Sequence, residues 1–153
     1  MEFTEFLVKA KINTYASNGE GGEKILADGC KELVYTEDIW SYRDRYFGSD
    51  PFIGEEIVSS SGLAVWGMNY YGRIIFSGMD AEKINHFLHF LKKALQLVTA
   101  ERPFRGPANF REGEWDYSDK SSGSVDKFDG IETICFCGKP VYELKYHGGI
   151  IKK

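Results

Sequence analysis

A pattern of aromatic and acidic residues that could carry chemistry occurs twice in the chain. The first copy reads WSYRD from residue 40 and FIGEE from residue 52, and the second reads WDYSD from residue 115 and FDGIE from residue 128. Side chains two apart on a strand share a face, so each copy places carboxylates in line with aromatic rings. A carboxylate on an apolar face is costly unless an ion pair or hydrogen bonds compensate it. The pattern therefore predicts an aromatic, carboxylate-edged pocket for a cationic or hydroxyl-rich small molecule.

The ligand-binding candidates in this pattern are the aromatic and acidic side chains of both copies: Trp40, Tyr42, Asp44, Glu56, Trp115, Tyr117 and Glu132. Two other interpretations stay open. Each glutamate could lie near a strand end and bond arginine, tyrosine or backbone groups for structural reasons alone. Alternatively, Glu56 and Glu132 could form the acid and base of a hydrolase, which requires two nearby carboxylates with different pKa values.

A second candidate set consists of polar residues that occur in one copy of the pattern only. Its members are Arg43, Arg45, Asn69, Tyr71 and His147. A function that breaks the symmetry between the copies would use such residues. The alternative is a solvated strand face with paired charges, which contributes little to stability or function.

No metal site or cofactor is expected. His86 and His89 are three residues apart on a predicted helix, but no helical carboxylate completes a ligand set. Cys135 and Cys137 lack the spacing of a zinc site and favour small apolar packing. The segment GEGG at 19–22 is not followed by the Lys-Ser/Thr of a phosphate-binding loop.

The pattern belongs to a longer internal repeat. Residues 65–75 (VWGMNYYGRII) align with residues 141–151 (VYELKYHGGII), and the segments from residues 52 and 128 align at the same offset. The chain is therefore predicted to be a single domain built of two repeats, about 1–78 and 79–153. The repeat preserves the face that carries Trp66, Met68 and Tyr70, and the opposite face varies. Such preservation indicates a shared core.

Each repeat reads as a helix followed by antiparallel strands. Apolar residues spaced by three and four predict helices at 4–15 and 81–98. Strands are predicted near 39–46, 52–60, 63–75, 114–119, 128–137 and 139–148, with further strands possible near 32–36 and 108–111. Segments 17–31 and 118–127 read as flexible connections. The predicted fold is α+β: a duplicated helix-plus-antiparallel-strands unit forming a curved sheet of six to eight strands covered by two helices.

Composition limits the classes of function. The 153 residues include 15% aromatic side chains, enough to dominate a core or pocket, and the net charge is −4. A negative balance argues against direct binding of nucleic acid. No apolar run reaches the length of a membrane span, and the first residues do not resemble a signal peptide. Three cysteines without framework spacing are typical of the reducing cytoplasm.

Several segments together resemble a known but uncharacterised family. FLVKAKINTYA, YRDRYFG, FIGEE, VWGMNYYG, RPFRGP and YHGG are similar to a bacterial domain of unknown function that occurs alone or behind helix-turn-helix domains of the XRE type. The resemblance implies a bacterial cytoplasmic protein with a sensor or effector role. This chain has no room for a separate DNA-binding domain, so no direct role in transcription is expected.

Three functions follow as expectations. The favoured one is a non-catalytic small-molecule-binding, sensor-like domain. The alternatives are a protein-interaction or oligomerisation module, which would form a homodimer through an exposed aromatic patch, and the hydrolase described above.

Overall fold

The computed structural model describes residues 1–16 and 23–152 of the chain. These residues form two helices and nine strands. The helices are α1 (Phe3–Asn13) and α2 (Ala81–Leu95). The strands are β1 (Lys24–Ile25), β2 (Lys31–Glu37), β3 (Trp40–Gly48), β4 (Phe52–Ser60), β5 (Leu63–Ile74), β6 (Asn109–Glu112), β7 (Trp115–Ser124), β8 (Lys127–Phe136) and β9 (Lys139–Ile150).

Both helices begin at capping residues whose side chains accept hydrogen bonds from backbone N–H groups of the first turn. Glu2 and Glu5 form a capping box at the start of α1. At α2 the side chain of Asp80 accepts a hydrogen bond from the backbone N–H of Lys83. Helix α2 then buries one stripe of residues spaced by three and four, namely Phe87, Phe90, Leu91, Ala94 and Leu95. This spacing confirms the second predicted helix, which ends three residues earlier than expected.

The nine strands form one antiparallel sheet in the order β1-β2-β3-β4-β5-β9-β8-β7-β6. Strands β5 and β9 lie at its centre, where Tyr70 is directly opposite Tyr146. From β5 outward, β4, β3, β2 and β1 pair in turn as antiparallel neighbours. From β9 outward, β8, β7 and β6 do the same. The division into two repeats at about residue 78 stays a prediction, although the strand order is compatible with it.

The sheet has an inner face that forms the core and an outer face that meets solvent. On β5, Trp66 and Met68 are almost completely buried, whereas Tyr71 is 48% exposed. On β9, Tyr142 and Leu144 are likewise buried. The alternation confirms the predicted assignment of the repeat's preserved face to the core.

The predicted fold class of a sheet covered by two helices is wrong. The described residues form a strand-rich protein with nine strands, and the helix backbones lie closest to β2, β3 and β7. Over the central strands, Phe104 from the connection after α2 stacks on Phe128 with the ring centroids 4.4 Å apart. The sheet's own aromatic side chains and this connection therefore fill the middle of the core, so the two short helices need not cover it.

Two predicted flexible segments also need correction. Residues 118–127 belong almost entirely to β7 and β8, because Ser118–Ser124 pair in register with Lys127–Thr133. The pairing outweighs the weak strand propensity of the serines and glycine. In segment 17–31, Lys24–Ile25 form strand β1, which pairs with β2, and residues 17–22 lie outside the described residues.

Candidate functional site

Four acidic side chains are buried on the inner face of the sheet, in two cross-strand pairs. Asp44 on β3 is directly opposite Glu56 on β4, and Asp119 on β7 is directly opposite Glu132 on β8. All four side chains are at most 3% exposed. A buried carboxylate needs compensation, so the partners of each one define the chemistry of this face.

Glu132 has a complete set of partners. Arg105 donates two hydrogen bonds to it, from Nε at 3.1 Å and from Nη2 at 2.9 Å. The hydroxyl groups of Tyr117 and Tyr142 donate at 2.6 and 3.0 Å. A bidentate arginine and two hydroxyl groups compensate both carboxylate oxygens. Glu132 is therefore a structural anchor.

Glu56 has a less complete set of partners. Lys11 of α1 donates to its Oε2 at 2.5 Å and to the backbone carbonyl of Phe104 at 2.7 Å. Burial lowers the pKa of Lys11, and the charge of Glu56 opposes that effect. Within the described residues, Oε1 of Glu56 and the buried hydroxyl of Tyr42 have no hydrogen-bond partner. The first half of the sheet thus carries buried polar atoms without a hydrogen-bond partner among the described residues.

The two buried aspartates differ in whether a cation lies within ion-pair distance. Tyr70 donates to Asp44 at 2.5 Å, and Tyr146 donates to Asp119 at 2.7 Å. Arg102 Nη2 lies 3.3 Å from Oδ2 of Asp119, within ion-pair distance but outside hydrogen-bond geometry. Among the described residues, Asp44 has no ion pair. The sheet therefore compensates the charge of Asp119 better than that of Asp44.

The pKa values of both aspartates reflect this environment. Burial, followed by the negative charge of Glu56, raises the pKa of Asp44 to about 7. Burial is also the main cause that raises the pKa of Asp119, to about 6. Asp44 consequently exchanges its proton near neutral pH, as carboxyl groups at functional sites often do.

A cavity of about 420 Å³ lies against this part of the inner face. Asp44, Tyr70 and Arg105 form a buried polar part of its wall. The hydroxyl of Tyr15, another wall residue, is buried without a partner among the described residues. The remaining wall includes the apolar side chains of Phe52, Leu33, Leu88, Leu91 and Leu95 and the polar side chains of Thr14, Glu23, Lys31, Tyr46, Ser49 and Lys92. A cavity that combines apolar side chains with fixed polar groups is a common form of small-molecule site.

A groove of about 960 Å³ lies on the opposite, outer face of the sheet. Asn69 and His147 are directly opposite each other on its floor, and Tyr71 and Arg45 also line it. Asn69, Tyr71 and His147 are exposed to solvent. The groove is the larger of the two, but Asn69, Tyr71 and His147 on its floor are solvated, whereas Asp44 in the wall of the inner cavity is buried. For this reason the inner cavity is the better candidate site.

The predicted site residues therefore separate onto the two faces of the sheet. On the inner face Tyr42, Asp44, Glu56, Tyr117 and Glu132 are all buried, and a hydrogen bond joins Tyr117 to Glu132. Arg43, Arg45, Asn69, Tyr71 and His147 lie on the outer face, where Arg43 is exposed and Arg45 pairs with Glu32 at 3.5 Å.

Trp40 and Trp115 anchor the two helices. Trp40 stacks on Phe6 of α1, with ring centroids 5.9 Å apart, and Trp115 stacks on Phe90 of α2 at the same separation. Neither tryptophan lines the inner cavity. Both therefore support the fold around the site without contributing to its wall.

Two cations of the network, Lys11 and Arg105, were not among the predicted site residues. A signal for Lys11 exists, because it follows Leu7 by four residues and so falls on the buried stripe of α1. A lysine on an apolar stripe indicates a buried partner. Arg105 has a weaker signal, since the rigid RPFRGP segment identifies a fixed connection but not the carboxylate that it reaches.

Other features of the described residues bear on the class of protein. No group of three or more histidine, cysteine or acidic side chains among them has the arrangement of a metal site. None of the helices found in 1–16 and 23–152 has both the length and the apolar character needed to cross a membrane.

The fold and the site define an antiparallel-sheet protein with buried ion pairs beside a cavity. Residues 44–151 match the model of a domain of unknown function, DUF5680, and the chain belongs to this family. The resemblance to an uncharacterised domain of unknown function is thereby confirmed. No curated protein and no solved structure matches the chain.

Proposed function

We propose that the protein is a non-catalytic, sensor-like domain that binds a small molecule in the inner cavity. The observation that carries this proposal is the buried carboxyl group of Asp44 in the cavity wall, held by Tyr70 and close to Arg105. Such a group is expensive to bury and contributes nothing to packing. A ligand-binding role explains why it lies at the cavity.

The surrounding network supports binding rather than catalysis. Arg105 is fixed by Glu132, and Lys11 is fixed by Glu56 and the carbonyl of Phe104. Both glutamates are thereby committed to buried cations, so neither is a free acid or base. A rigid wall of this kind lowers the cost of ordering side chains when a ligand binds.

A thermal-shift screen against a metabolite library tests the proposal. A ligand of the inner cavity raises the melting temperature of the wild-type protein. Leu88→Trp fills the cavity from the exposed side of α2 and abolishes the shift. Ile131→Trp, a matched change in the outer groove, leaves it intact. A shift that is lost in Ile131→Trp and kept in Leu88→Trp would move the ligand to the outer face and contradict the proposal.

A second candidate function is a protein-interaction or oligomerisation module that uses the outer groove. Four apolar side chains around this groove are exposed: Phe47, Ile53, Tyr71 and Ile131 are 44–55% accessible. Exposed apolar side chains clustered on one face are typical of interaction surfaces. A homodimer through this face predicts that Ile53→Lys converts the dimer to a monomer in sedimentation analysis. A wild-type protein that stays monomeric at high concentration argues against it.

The setting of the protein is also part of the proposal. On the resemblance of the RPFRGP and YHGG segments, we place it in the bacterial cytoplasm, where it acts as a regulator-like effector domain without contacting DNA itself. The negative net charge of −4 supports the absence of direct DNA binding. Cell fractionation and a pull-down in the presence of the ligand test this assignment.

A further inference from the structure

We propose that the ligand of the inner cavity carries a single positive charge, an ammonium or guanidinium group on an apolar body, and that this charge pairs with Asp44. The inference rests on the proposed function and specifies its ligand class. It excludes neutral hydroxyl-rich ligands, anions and polyamines.

The pairing of the buried charges carries the inference. Glu56 pairs with Lys11, Glu132 pairs with Arg105, and Asp119 has Arg102 at 3.3 Å. Within the described residues, Asp44 is the one buried carboxylate without a cation. It is 3% exposed and lies in the wall of the cavity. The cavity is therefore the place from which a positive charge can reach it.

The second half of the sheet shows what such a cation does. Asp119 occupies the same position as Asp44, because each aspartate is opposite a buried glutamate and accepts a hydrogen bond from a central tyrosine. There the protein supplies Arg102, whose side chain is 31% exposed and approaches from the edge of the core. In the first half the ligand takes the place of that arginine.

The other wall residues restrict the rest of the ligand. The buried hydroxyl of Tyr15, which has no hydrogen-bond partner within 1–16 and 23–152, can accept a second N–H of the cationic group. Leu91 and Leu95 provide an apolar surface for the body of the molecule. Lys31 and Lys92 also line the cavity and repel a second positive charge. Glu23 in the same wall already accepts a hydrogen bond from Tyr46, so the wall favours a monocation over a diamine.

Binding should be coupled to the release of a proton from Asp44. The charged and titratable groups that face Asp44 are Glu56 on β4, Tyr70 on β5, Arg105 in the connection after α2, and Lys11 and Tyr15 from α1 and its end. The pKa of Asp44 is about 7, so about half of the free protein is protonated there at neutral pH. A cation binds the ionised form, so its affinity rises between pH 6 and pH 8.

Calorimetric titration with matched four-carbon probes tests the inference on the full chain. The probes are n-butylamine, butylguanidine, n-butanol, butyrate and 1,4-diaminobutane. The expected result is that the two monocations bind at least about tenfold more tightly than the other three. Asp44→Asn weakens their binding by about tenfold or more, and Asp119→Asn does not. Circular dichroism and urea unfolding confirm that both variants are folded.

The outcomes separate this inference from the proposed function. Equal binding of n-butanol or butyrate, or monocation binding that persists in Asp44→Asn, overturns the ligand class. In that case a library ligand whose thermal shift is abolished by Leu88→Trp still supports a binding site in the cavity. If neither these probes nor the library raises the melting temperature, both proposals are wrong.

Discussion

Asp44 and Glu56 lie directly opposite each other on neighbouring strands, both buried, and Lys11 forms an ion pair with Glu56 but not with Asp44. Within the described residues only one of these two carboxylates has an ion pair, so the other is held closer to neutrality. The pKa of Asp44 shows that it is this one. Asp44 therefore titrates near neutral pH, and the free energy of unfolding should depend on pH in that range.

Asp44→Asn is expected to change the dependence of stability on pH. The pKa of Asp44 is raised in the folded protein from 3.8 to about 7, so the stability linked to its proton is complete below about pH 4 and is lost as the pH rises through 7. Asparagine keeps an acceptor for Tyr70 without the charge. The variant should match the wild type near pH 4 and exceed it by about 2–4 kcal/mol at pH 8. Urea unfolding at both pH values measures this difference, and a constant difference across the range contradicts the assigned pKa.

Lys11→Met is expected to leave Glu56 as an uncompensated buried charge. The free energy of unfolding at pH 8 should fall by about 3–5 kcal/mol. The double variant Lys11→Met/Glu56→Gln removes both charges and should recover part of this loss. A double-mutant cycle by urea unfolding measures the coupling. Additive single effects would show that the two groups do not interact.

Gly54→Ala is expected to disturb the hydrogen bond between Tyr70 and Asp44. An added Cβ at Gly54 would lie 2.6 Å from the carbonyl oxygen of Arg45 and closer still to the Tyr70 hydroxyl. The backbone cannot move aside, so the variant should lose about 1–3 kcal/mol of stability. Gly67→Ala is the matched control on β5, where the nearest atom is the mobile Cδ1 of Ile57 at 3.0 Å. Thermal unfolding of both variants provides the comparison, and equal losses would count against a steric role of Gly54.

Trp66→Ala and Tyr71→Ala test the two faces of β5. Trp66 is fully buried, stacks on Phe128 and donates a hydrogen bond to the carbonyl of Val125, so its loss should cost about 3–5 kcal/mol. Tyr71 is 48% exposed on the outer face, and its loss should change stability by less than about 0.5 kcal/mol. Denaturant unfolding of each variant measures both values. Near-native stability of Trp66→Ala would contradict the assignment of the inner face.

The alternation along β5 is the part of the fold that local sequence predicts best. Trp66, Met68 and Tyr70 recur every second residue, and a strand with one buried face requires that spacing. The helix at 81–95 was predictable for the same reason, with a different period. In both cases the spacing of apolar residues within one short segment predicts the element, so distant parts of the chain are not needed.

The extent of the sheet and the composition of the site depend on distant residues. The serines at 121–124 have weak strand propensity and become strand only because Lys127–Gly130 pair with them. Glu56 was predicted to need a partner, but its partner Lys11 is 45 residues away in sequence. Arg105 likewise reaches Glu132 across 27 residues. The pairing of each cation with its carboxylate depends on how the connecting segments pack, and local sequence patterns do not predict it.

Lys11 bonds both Glu56 and the carbonyl of Phe104, the residue before Arg105. One ammonium group thereby fastens the first helix to the segment that forms part of the cavity wall. The helix and this part of the wall are therefore directly linked, so we expect a displacement of the wall to be transmitted to α1. Ile12 is 37% exposed on the solvent-facing side of α1, so a reporter group placed there would test whether such a displacement occurs.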